Sequence, residues 1–420
     1  VMMTTGWRIS VAAIVLSLAA PSYADRSAET TLEVLHWWTS ASEHAAAELL
    51  REAMEEEGYR ITDYAIVGGA GEGAVKVLKA RVLLDDAPDI AQIIGPSIRN
   101  WAELGFFHSL AGSQDNHTLF DNLSSPVFDL VAYEEQPFAV PLAIHRVNTL
   151  IFNQTLFDKF GLEPAVDWAS WLEQLDLLQQ AGIVPLAHSN QPWQNATLFE
   201  TVLAVTASPD TYHQIMIEQD SSALLGEEMA LSLTRFRQLK SYMQPLRNSD
   251  WSEATRQVFE GKAGMQLMGD WALGEVLQWQ TGGLVGSQID NQIGCSAFFS
   301  QQHLYSVDSL VFFRSGSLTE GAVQRLVQKL GDSDFQYRFA QVKGAIPARQ
   351  DAALSVQPCL AASARDFEQQ TRLPSLVHRT AAIEEVRNVF IHALHRFFND
   401  DTQDIKLTQT RLAAELRALQ

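Results

Sequence analysis

The sequence predicts an α/β protein of two discontinuous lobes joined by hinge crossings around a cleft, and three observations carry that prediction. Close to its start, segments of strand and helix character alternate as strand, helix, strand, helix, strand, the pattern of a parallel or mixed sheet. A long apolar run, QPFAVPLAIHRVNTLIFN, is then interrupted by Pro137 and Pro141, and proline prevents pairing in the middle of a sheet. After a helix-rich stretch over residues 155–279, a strand-like run returns at 306–313.

Taken in order, Arg8 precedes a small and apolar run over residues 9–20, followed by Pro21, Ser22, Tyr23 and Ala24. That run is shorter than the roughly 20 residues of a membrane span, and Ser22 and Ala24 are the small residues that signal peptidase requires. Residues 1–24 therefore read as a secretory signal peptide cleaved after Ala24, which places the mature chain in the periplasm, as a soluble protein. Residues 31–38, TLEVLHWW, read as a strand; Ser40 and Ser42 stand where a helix begins, and Leu49, Leu50 and Met54 give that helix its apolar face. A second strand over 60–67 leads into Gly68-Gly69-Ala70-Gly71-Glu72-Gly73 and a helix through Leu84, and residues 89–94 read as a third strand. The prolines place the first crossing near Pro141. Residues 343–349 carry a glycine and a proline between helical regions, and 366–420 is mostly helical. The expected lobes are residues 25–141 with 304–344, and 142–303 with 345–420. The chain shows no repeat, low-complexity tract or flexible linker, so short hinges rather than a tether join them.

The 420-residue chain carries a net charge of −20, and loss of residues 1–24, whose one charge is Arg8, takes it to −21. Nucleic acid is excluded as a partner by that sign, and neutral ligands are favoured over anions unless a local basic pocket offsets the field. Only Cys295 and Cys359 occur; an exported chain with an even count permits a disulfide, expected here within the second lobe, and with no C-x-x-C spacing a zinc site has no support. The pairs His44/Glu48 and His392/His395 share helix faces but supply too few ligands for a metal. Gly69-Ala70-Gly71-Glu72-Gly73-Ala74 fits a loose dinucleotide pattern, yet it follows the second predicted strand and Glu72 would face a pyrophosphate, so no cofactor is expected. There is no G-x-S-x-G elbow.

Leu35-His36-Trp37-Trp38-Thr39-Ser40-Ala41-Ser42-Glu43 places two indoles, hydroxyls and a carboxylate at a strand-to-helix junction, which opens at the sheet edge where α/β folds bind ligands. Flat indole faces suit the C–H faces of a sugar ring, and the polar groups suit its hydroxyls. Trp37 and Trp38 are adjacent and so face opposite sides of a strand, which assigns one to the cleft and one to the core.

The run LEVLHWWTS resembles the family 1 extracellular solute-binding proteins, specifically the glucose-binding type. GGAGEG, AVPLAIHRVNTLIFN, PLAHSNQPWQNATLFE, GKAGMQLMGDWALGE, VDSLVFF, KGAIPAR and PSLVH match in the same order across nearly the whole mature chain. The resemblance implies a periplasmic-binding-protein-like fold and a monomeric receptor that hands a carbohydrate to the membrane permease of an ABC transporter. It implies that Trp37, Trp38 and Glu43 contact sugar from the first lobe, with Lys343 and His378 approaching from later segments. Trp193 and Gln194 in QPWQN, Asp270 and Trp271 in GDW, and Asp308 in VDS are further cleft candidates. One departure stands out: Ile94 in QIIGP occupies a position where similar glucose-binding proteins carry lysine, which implies a pyranose site of altered selectivity. Two other functions use the same residues differently. An exported glycoside hydrolase would take two of Glu43, Asp270 and Asp308 as acid and nucleophile. A receptor of the same fold would instead feed a sensor or chemoreceptor.

Overall fold

A computed structural model of the chain describes residues 30–112, 118–245, 250–290 and 292–419; the expected leader, residues 1–24, lies outside the described residues. The strands, in chain order, are β1 Thr31–His36, β2 Arg60–Ala65, β3 Ile90–Gln92, β4 Ala132–Tyr133, β5 Gln136–Pro137, β6 Ala139–Arg146 and β7 Thr149–Asn153. They continue with β8 Val184–His188, β9 Met243–Pro245, β10 Ala263–Met268, β11 Ile293–Ser296, β12 Gln302–Phe312, β13 Ile346–Pro347 and β14 Thr371–Pro374.

The first sheet runs β13-β6-β12-β3-β1-β2, with β14 alongside β12. β1 is parallel to both β2 and β3, and parallel neighbours need crossover connections; the helices Ala41–Glu56 and Glu72–Leu83 supply them. β12 is antiparallel to β3 and to β6, so the returning strand closes a mixed sheet rather than extending a parallel one. The second sheet runs β11-β7-β10-β8-β9, with β7 antiparallel to β10 and β11, and β8 parallel to β10 and β9. Together they make a two-lobed α/β architecture.

The expected proline break is corrected by the register. Pro141 lies inside β6, paired with Ser309 of β12, and the ladder absorbs it through a register shift between Asp308 and Ser309. A bulge frees the position where proline has no N–H to give. Gln336 Nε2 donates to the Pro141 carbonyl at 2.6 Å, so that acceptor is also satisfied.

Two buried apolar clusters divide the chain. One draws on Leu32 to Ile144 and Tyr305 to Ala348, with Phe367; the other on Val147 to Leu304 and Leu360 to Leu416. The chain passes between them where β6 ends and β12 begins, and there the crossings are laced together. Val147 N–H donates to the Leu304 carbonyl at 2.8 Å, Leu304 N–H to Asn148 Oδ1 at 3.1 Å, and Asn148 Nδ2 to the Gln302 carbonyl at 3.0 Å. Arg146 reaches Asp366 and Gln370 from the same place.

Among the described residues, no helix is long and apolar enough to cross a membrane. Cys295 on β11 and Cys359 in the helix Pro358–Gln369 are joined by a disulfide across 64 residues of chain. In the chain-entropy view, closing a loop of that length stabilises by about 4 kcal/mol. Replacing both cysteines by serine is expected to lower the urea unfolding midpoint accordingly, and thiol alkylation of the denatured, unreduced protein should find no free thiol.

Candidate functional site

A cavity of about 200 Å³ lies between the two cores, and its walls come from both. The first wall starts at the end of β1. Ser40 caps the helix Ala41–Glu56 in a reciprocal capping box: Ser40 Oγ accepts from Glu43 N–H, while Glu43 Oε2 accepts from the N–H groups of Thr39 and Ser40, both at 3.0 Å. That box fixes the turn carrying Trp37, Thr39 and Ser40 into the cavity. The Trp37 ring lies against Gly71, where a Cβ would fall 2.7 Å from the indole and where φ is +73°. The glycine-rich segment thus seats an aromatic ring, a close approach that only glycine permits.

Lys343, the last residue of the helix Ser333–Lys343, is buried between two carboxylates, with Nζ 3.3 Å from Glu43 Oε1 and 3.7 Å from Asp308 Oδ2. Burial alone would lower its pKa, but Glu43 and Asp308 outweigh it and hold the ammonium above the usual lysine value. Asp308, against its own burial, is held down at about 2 by Lys343, His145 and Gln92. Gln92 Nε2 donates to Asp308 Oδ1 at 2.9 Å, and Gln92 Oε1 accepts from Trp37 N–H at 3.3 Å. His145, on β6, stands between Asp270 Oδ1 at 2.7 Å and Asp308 Oδ2 at 3.3 Å. Burial and Lys343 oppose its protonation; the two aspartates prevail and raise its pKa.

The second wall is built on the helix Pro192–Thr206. Trp193 Nε1 donates to Gln191 Oε1 at 2.8 Å, and Thr197 Oγ1 donates to the Trp193 carbonyl at 2.9 Å. With its one proton so placed, Thr197 Oγ1 accepts from His378 Nε2 at 3.1 Å, which leaves Nδ1 as the imidazole's acceptor. Burial, reinforced by Arg387 and Arg379, drives the His378 pKa well below the ordinary value, so the ring is neutral. Behind it, Glu200 accepts from Ser375 Oγ at 2.7 Å, Leu376 N–H at 2.6 Å and Tyr212 OH at 2.8 Å, and Ser375 Oγ in turn accepts from His378 N–H at 3.1 Å. This buried network holds the PSLVH segment in place.

The sequence profile of the bacterial extracellular solute-binding proteins matches residues 20–293. The chain belongs to that family. It is 31% identical over 399 residues to the "Probable sugar-binding periplasmic protein" of Brucella melitensis, covering 93% of each chain. It is 31% identical over 413 residues to a protein of the same description from Rhizobium meliloti, covering 96% of this chain and 97% of that one. Its fold resembles the crystal structure of the bacterial solute receptor AcbH, with a TM-score of 0.78 at 14% identity over 93% of this chain and 99% of that one.

In this solute-binding protein the cavity brings together Trp37, Glu43, Trp193, Trp271, Asp308, Lys343 and His378 from the residues singled out in the sequence, and Ile94 lines it as well. Three are placed elsewhere. Trp38 is fully buried, edge-on to Phe339 at 5.4 Å, because adjacent residues leaving a strand point to opposite sides. Gln194 is buried behind Gln191, and Asp270 lies behind His145 rather than on the cavity surface. His145, Gln191, Trp251, Ser306 and Arg379 also line the cavity and were not anticipated. A lone histidine in the fully buried strand AVPLAIHR was the signal available for His145; Trp251 and Arg379 offered none in the sequence. Among the described residues, no group of three or more His, Cys, Asp or Glu is placed to hold a metal ion.

Burial raises Glu200 to about 7 in spite of the hydrogen bonds it accepts from Ser375, Leu376, Tyr212 and Val377. Its folded pKa exceeds the unfolded one, so the native chain keeps a proton that the unfolded chain releases. The stability this contributes is full below about pH 4.5 and lost as pH rises through about 7. The urea midpoint is expected to fall across that window. In Glu200→Gln, neutral at every pH, the fall should flatten; an unchanged slope would refute a protonated Glu200.

Proposed function

We propose that the chain is a saccharide receptor, which captures a mono- or small oligosaccharide between its lobes outside the cytoplasm and delivers it to the membrane permease of an ABC transporter. The observation that carries this reading is the meeting, in one cavity, of four indoles (Trp37, Trp193, Trp251 and Trp271) with the hydroxyl-reading groups Lys343, Asp308 and His378. Indole faces cover the apolar faces of a sugar ring, while the ammonium, carboxylate and imidazole replace its hydration. At about 200 Å³ the cavity is below the roughly 300–1,000 Å³ of drug-sized pockets, which favours a ligand of one or two rings. The Brucella and Rhizobium relatives are described as sugar-binding, and AcbH as preferring β-D-galactopyranose.

On this reading the lobes exchange the chain at three crossings, where β6 ends, where β12 begins and beyond Ala348, and ligand capture closes them about those hinges. Ser42, whose N–H and Oγ both donate to Glu275 Oε1 at 2.7 Å, supplies a contact between the two sides. The ligand leaves as it entered, with no bond made or broken. Of the three acids a glycoside hydrolase would draw on, Asp308 is ionised and Glu43 is taken up by Thr39, Ser40 and Lys343. Asp270, although burial raises its pKa, lies behind His145 off the cavity surface, which disfavours an acid and nucleophile facing one ligand.

Calorimetric titration of the purified protein with neutral and acidic mono- and disaccharides, and with amino acids as a contrasting class, tests the reading. One saccharide should bind with a stoichiometry of one per chain; binding of amino acids with no saccharide bound would sink it. Trp37→Ala should then weaken binding of that saccharide by roughly two- to twelve-fold, for the loss of about 0.5–1.5 kcal/mol of ring contact. Trp38→Ala should instead lower unfolding stability by about 3–5 kcal/mol. Full affinity in Trp37→Ala would remove this indole from the site.

A further inference from the structure

Arg379 lines the cavity with its backbone at φ +63°, a left-handed conformation that strains a residue bearing a Cβ and that glycine would hold freely. Its carbonyl oxygen packs on Gly95, where a Cβ would come within 2.0 Å, so it sits directly beside the apolar Ile94 at the cavity surface. Its guanidinium stands 5.7 Å from the centroid of the Trp37 ring.

The charge around it does not balance. Arg379 Nε and Nη2 donate to Glu384 at 2.8 and 3.2 Å, and Arg387 Nη1 donates to the same carboxylate at 3.3 Å. Two buried guanidiniums thus share one carboxylate. Arg387 is fully buried, and its Nη2 has no hydrogen-bond partner among the described residues. Glu72, the other acid whose field reaches both arginines, is paired with Lys76 at 2.6 Å. Burial and the neighbouring Arg379 charge push Arg387 down to about 9, as expected of a wall short of negative charge. Uncompensated buried charge is costly, and an anionic group from the ligand is the simplest way to relieve it. The other acids that line the cavity are engaged elsewhere: Glu43 and Asp308 share Lys343, and Asp250 caps the helix Trp251–Phe259, accepting from Ser252 Oγ and Glu253 N–H.

We propose that the cavity selects a saccharide bearing a carboxylate, a hexuronate, whose carboxylate meets the Nη1 edge of Arg379 beside Trp37. The planar guanidinium fork matches a carboxylate in two parallel hydrogen bonds, with its Nε edge already fixed by Glu384. The chain's overall charge of −20 does not prevent this, because at physiological salt fields decay over about 8 Å and the local wall dominates. The inference rests on the saccharide-receptor reading and narrows its ligand class.

The test is calorimetry on the full chain with matched pairs, D-glucuronate against D-glucose and D-galacturonate against D-galactose, with glucose 6-phosphate as a second anion. One hexuronate should bind at least about tenfold more tightly than its neutral partner. In Arg379→Gly, which suits the left-handed backbone and leaves Glu384 to Arg387 alone, that ratio should fall to about one, while Arg379→Lys should keep part of it. A neutral hexose binding as tightly as its uronate overturns the proposal and leaves the saccharide receptor standing, as does a uronate preference that survives in Arg379→Gly. Tighter binding of glucose 6-phosphate than of either uronate overturns the carboxylate. Failure of every saccharide to bind overturns both.

Discussion

The Lys343 ammonium, buried between Glu43 and Asp308, is the contact on which the cleft depends. It joins the end of one helix, the start of another and the middle of β12, three segments that are far apart in the chain. Removing one partner from a buried charge set costs several kcal/mol, because the remaining charge is left without compensation. The set is also extended: Asp308 takes a hydrogen bond from Gln92 and faces His145, and His145 faces Asp270 at the head of the helix Trp271–Thr281. One electrostatic chain therefore runs from the first apolar core, through the crossing strand β6, to the second.

The aromatic surfaces are held by rigid partners rather than by the ligand. Trp37 rests on Gly71, and Trp193 and Trp271 pack around the His378 ring at 5.9 and 4.9 Å between centroids. His378 is held in turn through Thr197, Ser375 and Glu200. A site whose side chains are fixed before the ligand arrives loses less conformational entropy on binding. The buried polar groups that achieve this are stabilising only because each finds a partner.

Much of the fold was legible because local sequence carries it. The alternation of strand and helix over the first hundred residues reflects side-chain periodicity, which acts over a few residues and needs no distant partner. The Ser40–Glu43 capping box is similarly local. Pro141 misled for an instructive reason: its tolerance inside β6 depends on a bulge at Leu142 in the pairing with β12, a strand more than 150 residues away. Trp37 and Trp38 were separable as one cleft ring and one core ring, but which was which rested on Phe339 and Gly71.

By itself, then, the sequence determined the α/β character, the returning strand and the even cysteine count, since periodicity, turn chemistry and residue type are properties of short stretches, whereas most of the segments expected at the cleft came from the family resemblance. Only the tertiary structure decided that Asp270 supports His145 from behind, that His145 and Arg379 line the cavity, and that one carboxylate is shared by two buried arginines. Those facts are set by distance and burial between residues remote in sequence, and the energy of a charge depends on what surrounds it in space rather than on its neighbours along the chain.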